Sequence, residues 1–226
     1  MKEIHVGLIG LGTVGCGLVK VLEDNNEMLK ERLGVPLRLK RVVDIDLESP
    51  RPVSLPRKIL STQVEDILAD EEIRIVVELI GGMEPAKTFL LEAMKRGKHV
   101  VTANKALLAV HGNELFAAAR EHQVNIAFEA AVGGGIPLIR TLREGLVANR
   151  IGHIYGILNG TANYILTRMA REGTVFAEAL KEAQAQGIAE ADPGLDVEGV
   201  DAAHKIAVLS SLAYCCEIDF NQVHIE

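Results

Sequence analysis

Carboxylates and one amine crowd the stretch between positions 192 and 205: Asp192, Asp196, Glu198, Asp201 and Lys205. Side chains of these types can hold a polar substrate and pass it a proton. In a helix that begins near Val197, Asp201 and Lys205 stand at i and i+4 on one face. The same spacing also suits a surface ion pair worth roughly 0.3–0.5 kcal/mol, or a helix start with Asp196 as N-cap and Glu198 in the first turn. Ile206-Ala207-Val208-Leu209 follow directly and predict a largely buried helix. A lysine on such a helix has to be paired, which is the setting in which an amine serves acid–base chemistry.

A second lysine stands where a ligand crevice is expected. Thr102-Ala103-Asn104-Lys105 follows a predicted strand, and loops at the carboxyl ends of parallel strands line the ligand site of open α/β sheets. Lys105 there can bind a carboxylate, polarise a carbonyl or shuttle a proton; a solvated surface charge is the plainer reading.

Gly10-x-Gly12-x-x-Gly15 closes a strand and opens a helix, the context that makes this pattern a dinucleotide fingerprint. Gly10 permits the tight turn, Gly12 lets backbone approach a pyrophosphate, and Gly15 lets helix and strand pack closely. The amides of Thr13 and Val14 then face the phosphates at the positive end of the helix. After the second predicted strand come Asp44 and Asp46, flanking Ile45. An acid at this place accepts from ribose hydroxyls and repels a 2′-phosphate, which favours NAD over NADP. Arg41, Arg51 and Lys58 are near enough in sequence to offset part of that charge.

The elements that must position these groups alternate. Strands are predicted at Ile4–Ile9, Leu37–Asp44, Ile73–Ile80, His99–Thr102 and Asn125–Phe128, with a helix from Cys16 to about Arg32 and further amphipathic helices between the later strands. The run from Ile73 to Ile80 is rich in β-branched residues, as in a strand buried on both faces. Strand–helix alternation implies a doubly wound, Rossmann-type parallel sheet. The stretch from 44 to 60, with Pro50, Pro52 and Pro56, reads as a loop insertion. Beyond Gly133-Gly134-Gly135-Ile136-Pro137 the texture changes, with Ile151–Leu158 readable as a strand and helices at Ala177–Gln186 and Val200–Tyr214. Pro137 suits the first turn of a helix. The expected division is a dinucleotide-binding domain over 1–130 and a smaller α+β substrate and dimerisation domain over 131–226.

Composition excludes several classes. Hydrophobic residues are 48% of the 226, enough for a sizeable core. A net charge of -7 leaves no basic excess for nucleic acid or an anionic membrane, and 4% aromatics without tryptophan offer no stacking platform. Three cysteines, two of them adjacent (Cys215, Cys216), suit neither a disulfide framework nor a zinc site. The seven histidines show no ligand spacing, and Ser210-Ser211 lacks a nucleophile elbow. With no signal peptide and no apolar run near the ~20 residues that span a bilayer, a cytoplasmic protein is expected.

Five stretches together resemble homoserine dehydrogenase: Gly7-Leu8-Ile9-Gly10-Leu11-Gly12-Thr13-Val14-Gly15; Val100-Val101-Thr102-Ala103-Asn104-Lys105; Phe128-Glu129-Ala130-Ala131-Val132-Gly133-Gly134-Gly135-Ile136-Pro137; Asn159-Gly160-Thr161-Ala162-Asn163-Tyr164-Ile165-Leu166; and Gly187-Ile188-Ala189-Glu190-Ala191-Asp192-Pro193 through Asp196, Gly199 and Asp201 to Lys205. The last is the most specific, and the likeness runs through essentially the whole chain. The resemblance implies an oxidoreductase that interconverts L-homoserine and L-aspartate 4-semialdehyde with NAD or NADP, in the branch toward threonine and methionine; the apolar helices of the second half suit a homodimer interface. The likeness implies Lys205 as the proton donor to the aldehyde oxygen, Lys105 at the junction of cofactor and substrate with a catalytic or orienting role, and Asp196 as a support for the lysine. Glu190 and Asp201 become substrate-holding acids, and Thr102 and Gly187 cofactor contacts. It further implies a sodium-type monovalent cation held by Glu129, Val132, Gly134 and Ile136, largely through backbone carbonyls, as suits a hard cation.

Two departures stand out. Many relatives carry a basic residue where this chain has Ile45, which weakens the case for NADP. The family also continues past the position matching Glu226 into further substrate-domain and regulatory elements, so a shortened chain is expected. Two other readings share the glycine loop: a different small-substrate dehydrogenase, and a dinucleotide-binding module without turnover.

Overall fold

Strands β1 (Ile4–Ile9), β2 (Leu37–Val43), β3 (Leu60–Ser61), β4 (Ile73–Glu78), β5 (His99–Thr102) and β6 (Ile126–Ala127) form one sheet in the order β3-β2-β1-β4-β5-β6. Every pairing is parallel. This computed structural model describes residues 3–226. Neighbouring residues on the strands feed opposite faces. Val76 joins Leu90, Met94, Val100, Leu107 and Leu115 on one side, whereas Val77 joins Leu8, Cys16, Val19 and Val42 on the other. Both faces are therefore covered by helices, as the β-branched run of β4 requires.

The helices are α1 (Thr13–Asp24), α2 (Asn26–Leu33), α3 (Glu65–Leu68), α4 (Ala86–Lys95), α5 (Lys105–Glu121), α6 (Leu138–Arg140), α7 (Gly160–Glu172), α8 (Phe176–Ala185), α9 (Gly194–Val197) and α10 (Val200–Tyr214). Register aligns the carboxyl ends of the central strands: Ile9 is opposite Val43 and Glu78, and Glu78 is opposite Thr102. The loops after β1, β2, β4 and β5 therefore leave from one edge, with the strand order reversing at β1, where ligands of such sheets bind.

The structure corrects several expectations. The helix expected from Cys16 to Arg32 is two helices broken at Asn25, where the side chains of Asn25 and Asn26 donate to the carbonyls of Val21 and Leu22 and compete with the backbone ladder. The stretch 44–60 is a loop, but its last residue opens β3, a strand too short to show periodicity. Residues 151–158 form no strand. Tyr155 and Ile157 are 89% and 76% exposed, and among the described residues no strand lies alongside to complete a ladder. The part from 131 to 226, expected to be α+β, is thus helical and irregular. Pro137 precedes α6 as its N-cap instead of occupying its first position.

One apolar core runs through both parts of the chain. Ala207, Val208 and Leu209 of α10 share it with Leu107, Leu108 and Leu115 of α5. The segment after α10 returns to α5, where the Asn113 side chain accepts from Ile218 N at 3.0 Å and donates to its carbonyl at 2.9 Å. Gly112 makes room for that return, since a Cβ there would lie 2.7 Å from Ile218 Cδ1. Packing of α10 on α5 is what brings the two lysine-bearing helices together.

Candidate active site

Lys105 is the first residue of α5, directly after β5, and Asp201 lies in the first turn of α10. Lys105 Nζ stands 3.1 Å from Asp201 Oδ1, and Lys205 Nζ stands 2.6 Å from Asp201 Oδ2. One nearly buried carboxylate is therefore held between two amines from different helices. Lys205 is 16% exposed in its side chain and donates a second hydrogen bond to the Leu158 carbonyl at 2.7 Å. Lys105 is more open, at 38%. A cation at a helix N-terminus is poorly placed in the field of the helix, and Asp201 supplies the compensating charge. Burial raises the Asp201 pKa, but hydrogen bonds from Lys205, Asn159 and Lys105 outweigh it and hold the carboxyl below the usual carboxylate range.

Asp196 does not cap the lysine-bearing helix. It lies in the short α9, and α10 begins after Gly199, whose φ of 78° sets the turn. Its carboxylate instead accepts from Asn159 Nδ2 at 2.6 Å, and the same amide donates to Asp201 Oδ2 at 2.8 Å. Asn159 thus joins Asp196 to the lysine cluster. Glu190 and Gly187 are not in this network. Gly187, with φ 69°, follows the end of α8, and the loop beyond it is anchored by Thr161 Oγ1 donating to the Ile188 carbonyl at 3.0 Å. Glu190 is exposed, its carbonyl held by Gln184.

The glycine loop divides by cause. A Cβ on Gly10 would lie 2.8 Å from the Leu79 carbonyl, and one on Gly15 would lie 2.1 Å from Gly10 O. Packing of the protein against itself demands both glycines. At Gly12 a Cβ would meet nothing within 4 Å. Thr13 and Val14 are exposed at the start of α1, whose first turn carries no acid. Asp44 accepts from Leu11 N at 2.5 Å and from Asp46 N at 2.9 Å, tying the end of β2 to the loop. Arg51 stands 3.8 Å from Asp44 and 3.6 Å from Asp46, so one of the three nearby cations does temper these acids. Hydrogen bonds from Ser49 and Glu48 hold Asp46 down to about 2. Ile45 is 95% exposed.

Thr102 is buried and donates from Oγ1 to Glu78 Oε2 at 2.6 Å, while accepting from Asn104 N at 3.0 Å. The other oxygen of Glu78 accepts from the amides of Ile80 and Gly81. Asn104 caps α5 by accepting from Leu107 N at 3.1 Å. Glu129 lies elsewhere, with its two oxygens on the amides of Ile139 and Arg140 at 2.8 and 3.0 Å. Val132, Gly134 and Ile136 follow on the same irregular loop, where the missing Cβ of Gly133 lets the Ile136 carbonyl come close. Among the described residues no cluster of His, Cys, Asp and Glu could hold a metal ion by side chains alone.

Sequence reasoning missed Glu78, Asn159 and His204. Glu78 was the acid at the end of a strand buried on both faces, a place where a carboxylate needs a reason. Asn159 opens one of the five stretches of family resemblance, but as a single residue it carried only the signal of a polar group ahead of a helix. His204 packs on Phe220 with ring centroids 4.7 Å apart; burial and then the nearby Lys105 charge lower its pKa.

Two family models match this chain in succession: residues 10–129 match the NAD-binding domain of homoserine dehydrogenase, and residues 137–226 match homoserine dehydrogenase itself. The chain belongs to the homoserine dehydrogenase family. The homoserine dehydrogenase of Bacillus subtilis is 50% identical over 226 residues, covering 100% of this chain and 52% of its own length. That of Pseudomonas aeruginosa is 50% identical over 227 residues, with the same coverage. The crystal structure of a homoserine dehydrogenase from Thiobacillus denitrificans superposes with a TM-score of 0.93 at 49% identity, covering 100% of this chain and 52% of that one. A hyperthermophilic archaeal homoserine dehydrogenase solved in complex with NADPH is similar at a TM-score of 0.82 and 26% identity, covering 98% and 75%. The chain spans about half the length of the curated relatives it matches.

Proposed function

We propose that this chain is the dinucleotide-binding and lysine-bearing part (1–130 and 131–226) of a homoserine dehydrogenase, which interconverts L-homoserine and L-aspartate 4-semialdehyde. The observation that carries this reading is Asp201 held between Lys105 and Lys205 beside the carboxyl end of β5. Hydride transfer is the chemistry that NAD would supply when bound beside the glycine loop. The fit of NAD is supported by the open space at Gly12, the acid-free start of α1, and Asp44 with an acceptor lone pair left on each oxygen for ribose hydroxyls. The Asp44–Asp46 pair and the absence of a cation at Ile45 favour NAD over NADP, against the tempering charge of Arg51.

Each ammonium has three N–H donors. Lys205 commits one to Asp201 and one to the Leu158 carbonyl, which leaves one for a substrate oxygen. In this proposal that donor holds the aldehyde oxygen and gives it the proton as charge develops there. Lys105, with two donors uncommitted, orients the substrate beside the cofactor. Glu190 and Asp201 take the ammonium and hydroxyl of homoserine, and Thr102 and Gly187 flank the cofactor. Glu129 with the carbonyls of Val132, Gly134 and Ile136 would hold a monovalent cation such as sodium, an all-oxygen set on a glycine loop that suits a hard ion. No helix among the described residues is long and apolar enough to cross a membrane, and a homodimer in the cytoplasm is the setting we assign.

Reduced-nicotinamide absorbance tests this directly. L-Homoserine with NAD at alkaline pH is expected to give a substrate-dependent rise, smaller with NADP. Silence with both cofactors, while NADH still binds, overturns it for these residues.

A further inference from the structure

Asn159 is buried where α7, α9 and α10 meet, and its side chain makes three hydrogen bonds. Its Oδ1 accepts from Ala162 N at 2.7 Å and caps α7. A backbone amide can only donate, so this contact fixes which end of the side chain is oxygen. The two N–H donors then face carboxylates, Asp196 at 2.6 Å and Asp201 at 2.8 Å.

No other residue type fills these roles together. Aspartate would keep the cap but set a third carboxylate against two others. Serine would keep the cap and lose the paired donors. The neighbouring residue sharpens the point, because the Leu158 carbonyl accepts from Lys205 while Asn159 donates to Asp201. Adjacent positions at the entry to α7 therefore grip both members of the Lys205–Asp201 pair. Oδ2 of Asp201 is shared by Asn159 and Lys205, and Oδ1 is turned toward Lys105.

We propose that Asn159 is a positioning residue that locks the Asp201 carboxylate between the two lysines and ties Asp196 to the same cluster. Its consequence for turnover rests on the dehydrogenase reading above; its effect on Asp201 does not.

Asn159→Asp is the informative variant, since it retains the acceptor for Ala162 N while it removes the two donations and adds a carboxylate. Carboxyl-carbon NMR of the ligand-free 226-residue chain should show the Asp201 titration moved up by about one pH unit or more, as loss of a donor and gain of a neighbouring charge require. Asn159→Ser, which adds no charge, should move it up by less. Turnover of homoserine at neutral pH should fall on the order of 10²-fold in Asn159→Asp, the scale of a misplaced catalytic group, with its acid limb displaced upward and NADH affinity unchanged. An Asp201 titration that stays put in both variants overturns the proposal, whatever happens to activity. If the parent chain turns over no homoserine, the functional reading falls, and the titration still decides Asn159. Should Asn159→Asp fail to fold, Asn159→Ser alone decides: an upward move of the Asp201 titration supports the lock, and an unmoved one overturns it.

Discussion

Lys105 Nζ lies 3.1 Å from Asp201 Oδ1, joining the first residue of α5 to the first turn of α10. Because Asp201 also holds Lys205, the three groups act as a unit, and substitutions among them should not add.

Lys205→Ala is expected to lower turnover by a factor on the order of 10²–10⁴, the usual worth of a general acid, with dinucleotide affinity little changed. Lys105→Ala should instead raise KM for homoserine along with a loss in kcat. Steady-state kinetics with parallel NADH titrations separate the two, and parent-like turnover in Lys205→Ala would remove it from the chemistry.

Asp201 has its pKa lowered on folding, so its contribution to stability is complete above the ordinary carboxylate value of about 3.9. As pH falls below that value the unfolded chain takes up the proton first, and the stabilisation is lost toward the depressed folded pKa. Urea unfolding between pH 6 and pH 3 should therefore show a shallower acid loss in Asp201→Asn than in the parent. Equal slopes would mean that Asp201 is not held as an anion.

Gly12 and Gly15 should part company under the same substitution. Gly15→Ala sets a Cβ against the Gly10 carbonyl and should cost well over 1 kcal/mol of stability. Gly12→Ala meets no protein atom and should cost about 0.5–1 kcal/mol, the difference at a helix N-cap, yet it should weaken dinucleotide binding at least tenfold. Thermal melts and NADH titrations check both. Unchanged affinity in Gly12→Ala would detach the loop from the cofactor.

Cofactor preference is best probed at Ile45. Ile45→Arg adds a cation beside the proposed ribose site on a residue that is 95% exposed, and should shift the kcat/KM ratio toward NADP. Asp44→Ser should also relax the bias, but Asp44 secures Leu11 N and Asp46 N, so NAD affinity should fall with it. A preference unmoved in both variants would displace the ribose site from this strand end.

Much of this architecture was legible from local pattern. The glycine spacing, the β-branched run of β4 and the i, i+4 pair of Asp201 and Lys205 each follow from rules that operate over a few residues. Such rules also mislead where the decision is not local. The stretch 151–158 reads as a strand, but a strand needs a neighbour for its backbone groups, and none is present among the described residues. Asp196 reads as a helix cap because its type fits, whereas the left-handed turn at Gly199 starts the helix later.

Residue order and type were enough to specify the dinucleotide loop, the alternation that builds the sheet, and the lysine-bearing helix. Folding in three dimensions was needed for Lys105 to meet Asp201, for Glu78 to receive Thr102 across two strands, and for Asn159 to bridge two carboxylates. Each of these contacts joins residues far apart in the chain. Sheet register and the packing of α10 on α5 bring them within hydrogen-bond reach, and burial of Glu78, Thr102, Asn159 and Asp201 makes each of those polar groups find a partner.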